Sequence, residues 1–449
     1  MMDKIVRSLC GFCHSNCGVK IHVRDGKILR VEGDPDHPFN RGHLCPKASA
    51  LKPMIESEER LKFPLKKTKG GFVRVSWDEA LDLAADKLTK IREEHGPESL
   101  VHCHGAPVTY GARDGFLQFM GAYGSPNFTG AANTCFVPRL VAFVNTFGAR
   151  PEPDFENTRL IIFCAANPIN TTRFSSYASY DGFDRILPRA RERGAKIIVI
   201  DPVRTETAVL ADDWIRPNIG TDAALGLAMI HTIIKEDLYD KEFVRQQVVG
   251  FDEVKKHVES MSPEWAEKIT SVPADRIKEL ARLYATTDGA IILDGNGLDM
   301  HTNGVDAVRV ICMLIALTGN IDKPGGNVFF SFVPQTPLPT VRTDKKRIAL
   351  DEFPLFPQVP FPAVKEALLS EQPGRPRAMI VHHGNPVLVQ ANQERTKQAL
   401  GKLGFLIVLD IFPTATTEMA DLVLPVAADL EAVDYRAYSS SRGGFLALR

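Results

Sequence analysis

Apolar and polar residues alternate along residues 19–24 and, more loosely, along residues 27–31. A period of two is typical of β-strands that bury one face. Asp25 and Gly26 lie between the two stretches, and Asp-Gly is a preferred two-residue turn between antiparallel strands. The pattern therefore predicts a β-hairpin near the beginning of the chain.

From residue 76 the pattern changes to a helical period. Ser76 and Glu79 have the spacing of a capping box, which predicts that a helix begins there. Gly96 followed by Pro97 predicts its end. Apolar residues between these points fall on one helical face, at Leu81, Ala84, Leu88 and Ile91.

Short apolar runs then alternate with further helical patterns. This order is typical of α/β proteins, in which helices connect the strands of a parallel sheet. Residues 331–362 are rich in proline and phenylalanine and predict a long connection between two sets of strand–helix–strand signals. The strands are predicted within residues 99–105, 159–164, 195–202, 290–294, 378–386 and 405–410, and the helices near residues 113–122, 183–193, 222–236, 273–287 and 391–402.

The composition excludes several classes of protein. A chain of 449 residues allows two to four domains. Apolar residues make up 44% and charged residues 24%, as in ordinary globular proteins. The net charge is −1 without a notable basic patch, so nucleic-acid binding is not expected. No run approaches the roughly 18–20 apolar residues that span a bilayer, and no signal peptide or twin arginine is evident, so we expect a cytoplasmic protein.

Eight cysteines in so long a chain argue against a disulfide scaffold. Cys103, Cys164 and Cys312 lie in apolar runs and are predicted to be buried packing residues. Four others form the motif C-x2-C-x3-C, followed after 27 residues by one more cysteine. These four are Cys10, Cys13, Cys17 and Cys45.

Four thiolates suit either a tetrahedral zinc ion or an iron–sulfur cube. Structural zinc sites usually carry two close pairs of ligands, whereas here three thiols lie together and the fourth is distant. This spacing favours a [4Fe–4S] cluster, with the predicted hairpin folding Cys45 back onto the other three. Lys47 follows two residues later; it is either an ordinary exposed cation or a bridge to a second redox centre.

The cysteine motif, ending in Cys45-Pro46-Lys47, resembles the N-terminus of the molybdenum/tungsten bis-pterin oxidoreductases, the dimethyl sulfoxide reductase family. The resemblance implies a 4Fe–4S cluster, two molybdopterin guanine dinucleotides and one Mo or W ion. It implies a small Fe–S domain at residues 1–62 and two Rossmann-like parallel-sheet α/β domains related by pseudo-symmetry. These domains are expected at residues 146–329, for the first dinucleotide, and at residues 63–145 with 330–449, for the second.

The resemblance also sets an expectation for the end of the chain. Residues 421–425 are similar to a family motif, after which members normally continue into a C-terminal β-barrel domain. The sequence has no such domain, so we expect a truncated chain or one completed by another chain.

Cys135 lies in a polar loop before a helix predicted at residues 140–147. A lone cysteine is more often an inert packing residue, but a helix N-terminus favours the reactive thiolate. The resemblance places the protein ligand of the metal at Cys135, and a soft thiolate suits a metal that sulfur donors already hold. Phe136 stands where the family's formate dehydrogenases carry histidine, so the resemblance points instead to thiosulfate/polysulfide reductases and acetylene hydratase-like enzymes.

Polar residues follow three of the predicted strands, at the edge where α/β sheets bind ligands. One such turn alone could be a capped turn without a ligand. Three such turns, in the order that the family shows, predict dinucleotide sites. The resemblance implies that Asp222, at the start of a helix, accepts from a guanine. The expected contacts are Asn167, Asp201, Arg204, Gly220 and Asp222 for the first dinucleotide, Asn385, Asp410, Thr414 and Glu418 for the second, and Lys47 beside a pterin.

Several other polar residues are candidates for catalysis. Histidines at strand ends are more often structural than catalytic, but a proton carrier is expected at His104 or His301 if the enzyme uses one. Arg139 and Asp299 are candidates for the substrate funnel. The remaining strand-end histidines are His102, His382 and His383.

The resemblance implies a redox enzyme whose substrate exchanges an oxygen or sulfur atom or loses a hydride equivalent. Two electrons would pass through a pterin and past Lys47 to the cluster, and then to a ferredoxin-like partner subunit. A tungsten enzyme that adds water, similar to acetylene hydratase, is an alternative. A chain that only relays electrons is another, and the presence of Cys135, Asn167, Asp201 and Asp222 argues against it.

Overall fold

The computed structural model describes residues 4–13, 15–106, 110–173, 181–329, 344–352, 357–370, 372–433, 435–440 and 443–448. The chain divides into two compact units. The first unit comprises residues 1–133, 334–437 and 446–449, and the second comprises residues 134–333 and 438–445. Much of the predicted connection at 331–362, namely residues 331–343 and 353–356, lies outside the described residues.

The strands are, in chain order, β1 (Lys4–Leu9), β2 (Gly18–Arg24), β3 (Lys27–Gly33), β4 (Leu65–Thr68), β5 (Gly71–Arg74), β6 (Leu100–His104), β7 (Phe128–Gly130), β8 (Glu152–Pro153), β9 (Leu160–Cys164), β10 (Lys196–Ile200), β11 (Asp213–Ile215), β12 (Ala290–Asp294), β13 (Asn327–Val328), β14 (Ala378–His382), β15 (Phe405–Asp410), β16 (Leu422–Pro425), β17 (Tyr435–Ser440) and β18 (Gly443–Leu448).

The α-helices are α1 (Leu51–Glu56), α2 (Trp77–His95), α3 (Tyr110–Tyr123), α4 (Val137–Phe147), α5 (Pro168–Thr171), α6 (Phe183–Glu192), α7 (Glu206–Val209), α8 (Asp222–Lys235), α9 (Lys241–Gln247), α10 (Phe251–His257), α11 (Pro263–Thr270), α12 (Ala274–Thr286), α13 (Asn296–Asp299), α14 (Gly304–Leu317), α15 (Phe361–Leu369), α16 (Pro386–Val389) and α17 (Gln393–Leu400).

The first unit begins with a three-stranded antiparallel sheet in the order β1-β2-β3. Asp25 and Gly26 connect β2 to β3 with φ angles of 51° and 77°, as a type I′ turn requires. The hairpin predicted from the alternating pattern is therefore confirmed. Strand β1 was not predicted, because most of its side chains on both faces are exposed or half-buried and only Leu9 is buried.

The main sheet of the first unit has the order β5-β4-β16-β15-β14-β6-β7. Strands β16, β15, β14, β6 and β7 are parallel, and the β4–β5 hairpin adds to the edge in antiparallel fashion. Helix α2 begins where predicted, with Ser76 Oγ accepting from the backbone N–H of Glu79 at 3.1 Å. The Glu79 carboxylate pairs with Lys66 at 3.4 Å, so the reciprocal contact of the predicted capping box is replaced by an ion pair.

The second unit contains a parallel sheet in the order β11-β10-β9-β12. Alternate residues of its central strands face opposite layers: Ile162 packs in the cluster with α8, α12 and α14, and Ile161 packs in the cluster with α6. Both are at most 1% exposed, and each such buried isoleucine stabilises the fold by about 1.5–3 kcal/mol. The α/β class with parallel sheets is thus confirmed.

The two parallel sheets determine where ligand-binding loops can lie. Turns that follow the carboxyl ends of β9, β10, β14 and β15 carry most of the polar residues that the sequence singled out. Open parallel sheets bind ligands at this edge. Among the helices of the described residues, none combines the length and the hydropathy needed to span a bilayer.

Candidate functional site

Three of the four motif cysteines lie in the loop between β1 and β2. Leu9 and Gly18 are paired where the two strands meet this loop. The backbone N–H of Cys10 donates to the carbonyl oxygen of Cys17 at 2.8 Å and closes the loop around Cys13. Cys10 and Cys17 are buried and Cys13 is half-buried, so the thiols are held on a short, tied segment.

Cys45 returns to this loop through a segment anchored by Asn40. The Asn40 side chain is fully buried; its Oδ1 accepts from the backbone N–H of Gly18 at 2.7 Å and its Nδ2 donates to the Gly18 carbonyl at 3.0 Å. A Cβ atom on Gly18 would lie 2.5 Å from the His37 side chain, so this approach requires glycine. The predicted return of Cys45 therefore depends on a buried amide as well as on the hairpin.

The donor set fits an iron–sulfur cube. Cys10 interacts electrostatically with Cys13 and Cys45, and burial raises the pKa of the Cys10 thiol to about 11. Buried thiolates need a positive centre, which a cube supplies when each cysteine binds one iron. Within the described residues no three His, Cys, Asp or Glu side chains lie close enough together to hold a single metal ion.

Two residues beside the cysteines complete this region. Lys47 is exposed on the 3-10 turn Pro46–Ala50, which begins directly after Cys45. Lys47, the cation expected near the cluster, is therefore accessible. Gly11 lies against Asp429, and a Cβ atom at Gly11 would be 2.1 Å from the Asp429 carboxylate oxygen.

Cys135 lies in the second unit, two residues before α4, and its side chain is half-buried. The amide nitrogen Nδ2 of Asn296 donates to Cys135 Sγ at 3.2 Å. The two residues are 161 positions apart, and the sequence did not identify Asn296. The thiol is thus accessible and already has a hydrogen-bond donor.

The position of Asn296 follows from the glycines on either side of it. A Cβ atom on Gly295 would lie 2.0 Å from the carbonyl oxygen of Ala165, and one on Gly297 would lie 2.8 Å from the Ala165 Cβ. The turn after β12 therefore packs directly against the turn after β9. The Gly-Asn-Gly sequence at a strand end is the signal that could have revealed this residue.

Arg139 was expected in a substrate funnel, but the structure buries it. Its Nε donates to Asp299 Oδ2 at 2.6 Å and its Nη1 donates to the Asp294 carbonyl at 2.9 Å. Burial alone would lower the pKa of Arg139, but Asp294 and Asp299 together raise it above the usual value. With 5% of its side chain exposed, Arg139 supports the turn beside Cys135 and does not face open solvent, and Asp299 is likewise buried.

The turn that follows β9 is tied to the next crossover by Asn167. Thr207 Oγ1 donates to Asn167 Oδ1 at 2.8 Å and accepts from the backbone N–H of Ile169 at 3.2 Å. Asn167 Nδ2 donates to Glu206 Oε2 at 2.7 Å. The amide of Asn167 therefore shapes the turn, and Thr207 is a residue that the sequence missed.

The turn that follows β14 in the first unit has the same construction. Thr416 Oγ1 donates to Asn385 Oδ1 at 2.7 Å and accepts from the backbone N–H of Val387 at 3.2 Å. Asn385 has φ −124° and ψ 71°, and Asn167 has φ −120° and ψ 67°. Two distant Asn-Pro turns thus share one backbone conformation and one hydrogen-bond pattern.

Carboxylates lie at the ends of the neighbouring strands. Asp201 follows β10 and accepts from the backbone N–H of Val203 at 2.8 Å; Asp410 ends β15 and accepts from Ile411 at 2.7 Å. Burial raises the pKa of Asp201, Asp222 and Asp410. Partly buried carboxylates of this kind are suitable acceptors for the N–H groups of a guanine.

The other expected dinucleotide contacts occupy more exposed positions. Arg204 and Glu418 are exposed, and the Glu418 carbonyl accepts from Lys67 at 2.9 Å.

Gly220 has φ 76° and lies beside the exposed His301. His301 is also close enough to Asp222 to oppose the rise in the pKa of the Asp222 carboxyl. His301, Gly220 and Asp222 therefore form one group. Thr414 is part of a turn closed by Thr417.

Four histidines cluster at the ends of β6 and β14. His102 stacks on His382 with ring centroids 4.8 Å apart, and His382 Nδ1 lies 3.1 Å from His383 Nδ1. Burial lowers the pKa of His102 to about 3 and of His382 to about 2. His104 is buried, hydrogen-bonded through Nδ1 to the Gly105 carbonyl at 2.9 Å. His102 and His382 are therefore neutral at pH 7, and their rings pack against each other.

The chain is similar to known proteins along most of its length. Residues 60–443 match the model of the molybdopterin oxidoreductase family, and residues 3–56 match that of the molybdopterin oxidoreductase Fe4S4 domain. The F420-dependent formate dehydrogenase subunit alpha of Methanocaldococcus jannaschii is 31% identical over 95% of this chain and 64% of its own length. The periplasmic nitrate reductase of Desulfovibrio desulfuricans is 31% identical over 95% of this chain and 60% of its own length.

A solved structure agrees with these matches. The acetylene hydratase from Pelobacter acetylenicus superposes with a TM-score of 0.84 and 28% identity, covering 96% of this chain and 64% of that one. The chain therefore spans slightly less than two thirds of the length of these relatives. The Fe4S4 and molybdopterin matches imply a 4Fe–4S cluster and a Mo or W bis-pterin cofactor. The chain belongs to the molybdopterin oxidoreductase family, with an N-terminal Fe4S4 domain.

Proposed function

We propose that the chain is the cofactor-bearing part of a molybdenum or tungsten oxidoreductase that passes two electrons between a small substrate and the 4Fe–4S cluster. The observation that carries this proposal is Cys135, whose accessible Sγ has Asn296 as donor at 3.2 Å. A bound Mo or W bis-pterin centre supplies two-electron redox chemistry. The chain supplies the thiol ligand, the cluster ligands and the pockets that orient the cofactor.

The strand-end turns and the cysteines supply the proposed ligands of the cofactors. The two matching turns at Asn167 and Asn385 support a pair of related dinucleotide sites, and with them the pseudo-symmetric arrangement expected from the sequence. The cluster would be held by Cys10, Cys13, Cys17 and Cys45, the metal by Cys135, the first dinucleotide by Asn167, Asp201, Arg204, Gly220 and Asp222, and the second by Asn385, Asp410 and Glu418.

The domain and partner assignments are part of the same proposal. We assign residues 1–62 to the cluster domain, 146–329 to the first dinucleotide domain, and 63–145 with 330–449 to the second. The exposed Lys47, two residues from Cys45, is the proposed cation on the electron path. A ferredoxin-like subunit is the proposed electron partner, because a single-electron carrier suits an iron–sulfur cluster.

The substrate class depends on the residue beside the metal ligand. Phe136 is 38% exposed next to Cys135 and offers neither a proton donor nor an acceptor. Thiosulfate or polysulfide reduction, or another anaerobic dehydrogenation, is therefore proposed ahead of formate oxidation. His104 and Arg139 are buried, so their proposed contribution is to support the site.

Hydration is the second candidate. The superposition on acetylene hydratase favours it, and an apolar Phe136 would tolerate an apolar substrate. Hydration needs no electron acceptor, whereas the redox reactions do. An electron-relay chain without pterins is the third alternative. The presence of Cys135 and of the two matching turns at Asn167 and Asn385 argues against it.

Metal analysis and a substrate panel test the proposal. Protein purified anaerobically should contain Mo or W, iron and releasable pterin. Formate, thiosulfate, polysulfide and acetylene should then be assayed with and without a viologen dye. Dye-dependent turnover supports the redox proposal, acetaldehyde formation without dye supports hydration, and iron without pterin would leave only the relay.

A further inference from the structure

The carboxylate of Asp429 occupies the space that a side chain at position 11 would fill. A Cβ atom on Gly11 would lie 2.1 Å from Asp429 Oδ2, 2.3 Å from Cγ and 2.5 Å from Oδ1. Only glycine leaves room for so close an approach. Gly11 directly follows Cys10 and precedes Cys13 by two residues. A negative side chain therefore lies against the backbone of the cysteine loop.

The residues that follow Asp429 hold it in this place. They belong to the 3-10 turn Asp429–Glu431, which comes shortly after β16. Leu430 packs against the apolar core to which the cysteine loop and β2 contribute. The Glu431 carboxylate accepts two hydrogen bonds from Arg60, at 3.0 Å and 2.6 Å. The turn is therefore anchored by an apolar contact and by a bidentate ion pair.

A fixed negative charge beside a 4Fe–4S cluster has a predictable effect. Reduction adds one electron to the cluster, and a neighbouring carboxylate repels this added charge. The net charge around such clusters is one of the factors that set their reduction potential. Gly11 is buried and Asp429 is half-buried, so water and salt screen this repulsion less than they screen that of an exposed carboxylate.

We propose that Asp429 lowers the reduction potential of the 4Fe–4S cluster, and that glycine follows the first cysteine because this carboxylate needs the space. The inference rests on the proposed function, in which the cluster is bound by Cys10, Cys13, Cys17 and Cys45. Asp429 binds no iron in that assignment and acts through its charge. A lower potential makes the reduced cluster a stronger electron donor to the partner subunit.

The potential of the cluster can be measured without substrate or turnover. Full-length protein is purified anaerobically with its cofactors and titrated with dithionite in the presence of redox mediators. The reduced cluster is followed by its EPR signal and by the loss of visible absorbance. Iron content and thermal midpoints establish that each variant is folded and holds its cluster.

Two variants change the charge in different ways. Asp429→Asn removes the charge at nearly constant size, whereas Gly11→Ala keeps the charge and pushes the carboxylate away from the cysteine loop. The control is Asp86→Asn, which removes one charge from an exposed position on α2 in the same unit. A merely structural role for Asp429 predicts that asparagine, with almost the same shape, leaves the potential unchanged.

Asp429→Asn should raise the midpoint potential. At the wild-type midpoint, the ratio of reduced to oxidised cluster should rise about tenfold, which is ~59 mV for a one-electron couple. Gly11→Ala should produce a smaller rise, and it should add none in the Asp429→Asn background, because no charge is left to displace. Asp86→Asn should keep the wild-type potential.

An unchanged potential in Asp429→Asn, at full iron content, would overturn the inference. A rise in Gly11→Ala that persists in the Asp429→Asn background would also overturn it, because the methyl group would then act through packing. Absence of iron and of a reducible cluster from the wild type would refute the proposed cluster assignment itself. The failure of the inference and that of the proposed function are therefore distinguishable.

Discussion

The hydroxyl of Thr207 donates to the amide oxygen of Asn167 at 2.8 Å. This bond ties the turn after β9 to the next crossover, and an equivalent bond of 2.7 Å joins Thr416 to Asn385. The same threonine–asparagine hydrogen bond thus occurs in both units, at the sheet edge where we propose that dinucleotides bind. Each threonine is fully buried and each asparagine is half-buried, so each bond is partly shielded from water.

Replacing either threonine by valine should weaken its own dinucleotide site. Thr207→Val keeps the volume but removes one of the two donors to Asn167 Oδ1 and the acceptor of the buried Ile169 N–H. An unsatisfied buried polar group costs about 1–3 kcal/mol. We expect Thr207→Val and Thr416→Val each to lower the releasable pterin by a similar amount. The exposed Thr286, whose hydroxyl donates to the Arg282 carbonyl within α12, provides the control variant Thr286→Val. Full pterin content in both test variants would contradict the proposed role of the turns.

Removal of Arg139 should destabilise the second unit strongly. Arg139→Met leaves Asp299 buried without this partner and Asp294 paired with Arg150 at 4.0 Å. Breaking a buried ion pair costs about 3–5 kcal/mol. The control is Arg245→Met, because Arg245 and Glu242 form an exposed pair with side chains 68% and 66% accessible. Exposed pairs contribute about 0–1 kcal/mol. Denaturant midpoints measure the difference, and equal midpoints for the two variants would contradict a buried structural role.

The first unit should lose stability in acid because of its buried histidines. The pKa of His102 falls from 6.5 to about 3 and that of His382 to about 2. Below pH 6.5 the unfolded chain therefore binds protons that the folded chain does not. The free energy of unfolding should fall as the pH drops from about 6.5 toward 3, by up to ~1.4 kcal/mol per pH unit for each histidine.

His102→Phe tests this dependence, since phenylalanine can replace the stacked ring without titrating. Thermal midpoints measured between pH 7 and pH 5 should fall less steeply in this variant than in the wild type. His257→Gln, at an exposed position on α10, serves as the control and should retain the wild-type slope. An unchanged slope for His102→Phe would show that these histidines do not limit acid stability.

The cysteines provide a further test. Cys45→Ser should lower the iron content and the visible absorbance, because the cube loses one of its thiolates. Cys103→Ala, at a buried position in the same unit, should keep both. Loss of zinc without loss of iron from the Cys45 variant would contradict the cluster assignment and restore the zinc alternative.

Local features of the chain could be predicted because neighbouring residues determine them. Asp25-Gly26 specified the turn of the hairpin, and isoleucine-rich runs specified β9 and β10. Cys103, buried as expected, follows from the apolar residues around it. Strand β1 was missed because its mostly exposed side chains give no clear alternation.

Contacts between distant segments could not be predicted in this way. Cys135 and Asn296 meet across 161 residues, and Asn167 meets Thr207 across 40. Nothing local distinguishes a buried Arg139 from an exposed one, because its burial depends on carboxylates supplied by β12 and α13. The family resemblance located Cys135, but only the packing of the glycine-flanked turn located its donor.

The central claim is that Cys135 holds the metal of a bis-pterin centre. The most direct measurement is the molybdenum, tungsten and iron content of anaerobically purified wild type and of Cys135→Ala. The account predicts Mo or W in the wild type, loss of most of it in the variant, and unchanged iron in both. Equal metal and pterin content in the two proteins, with unchanged turnover, would contradict it.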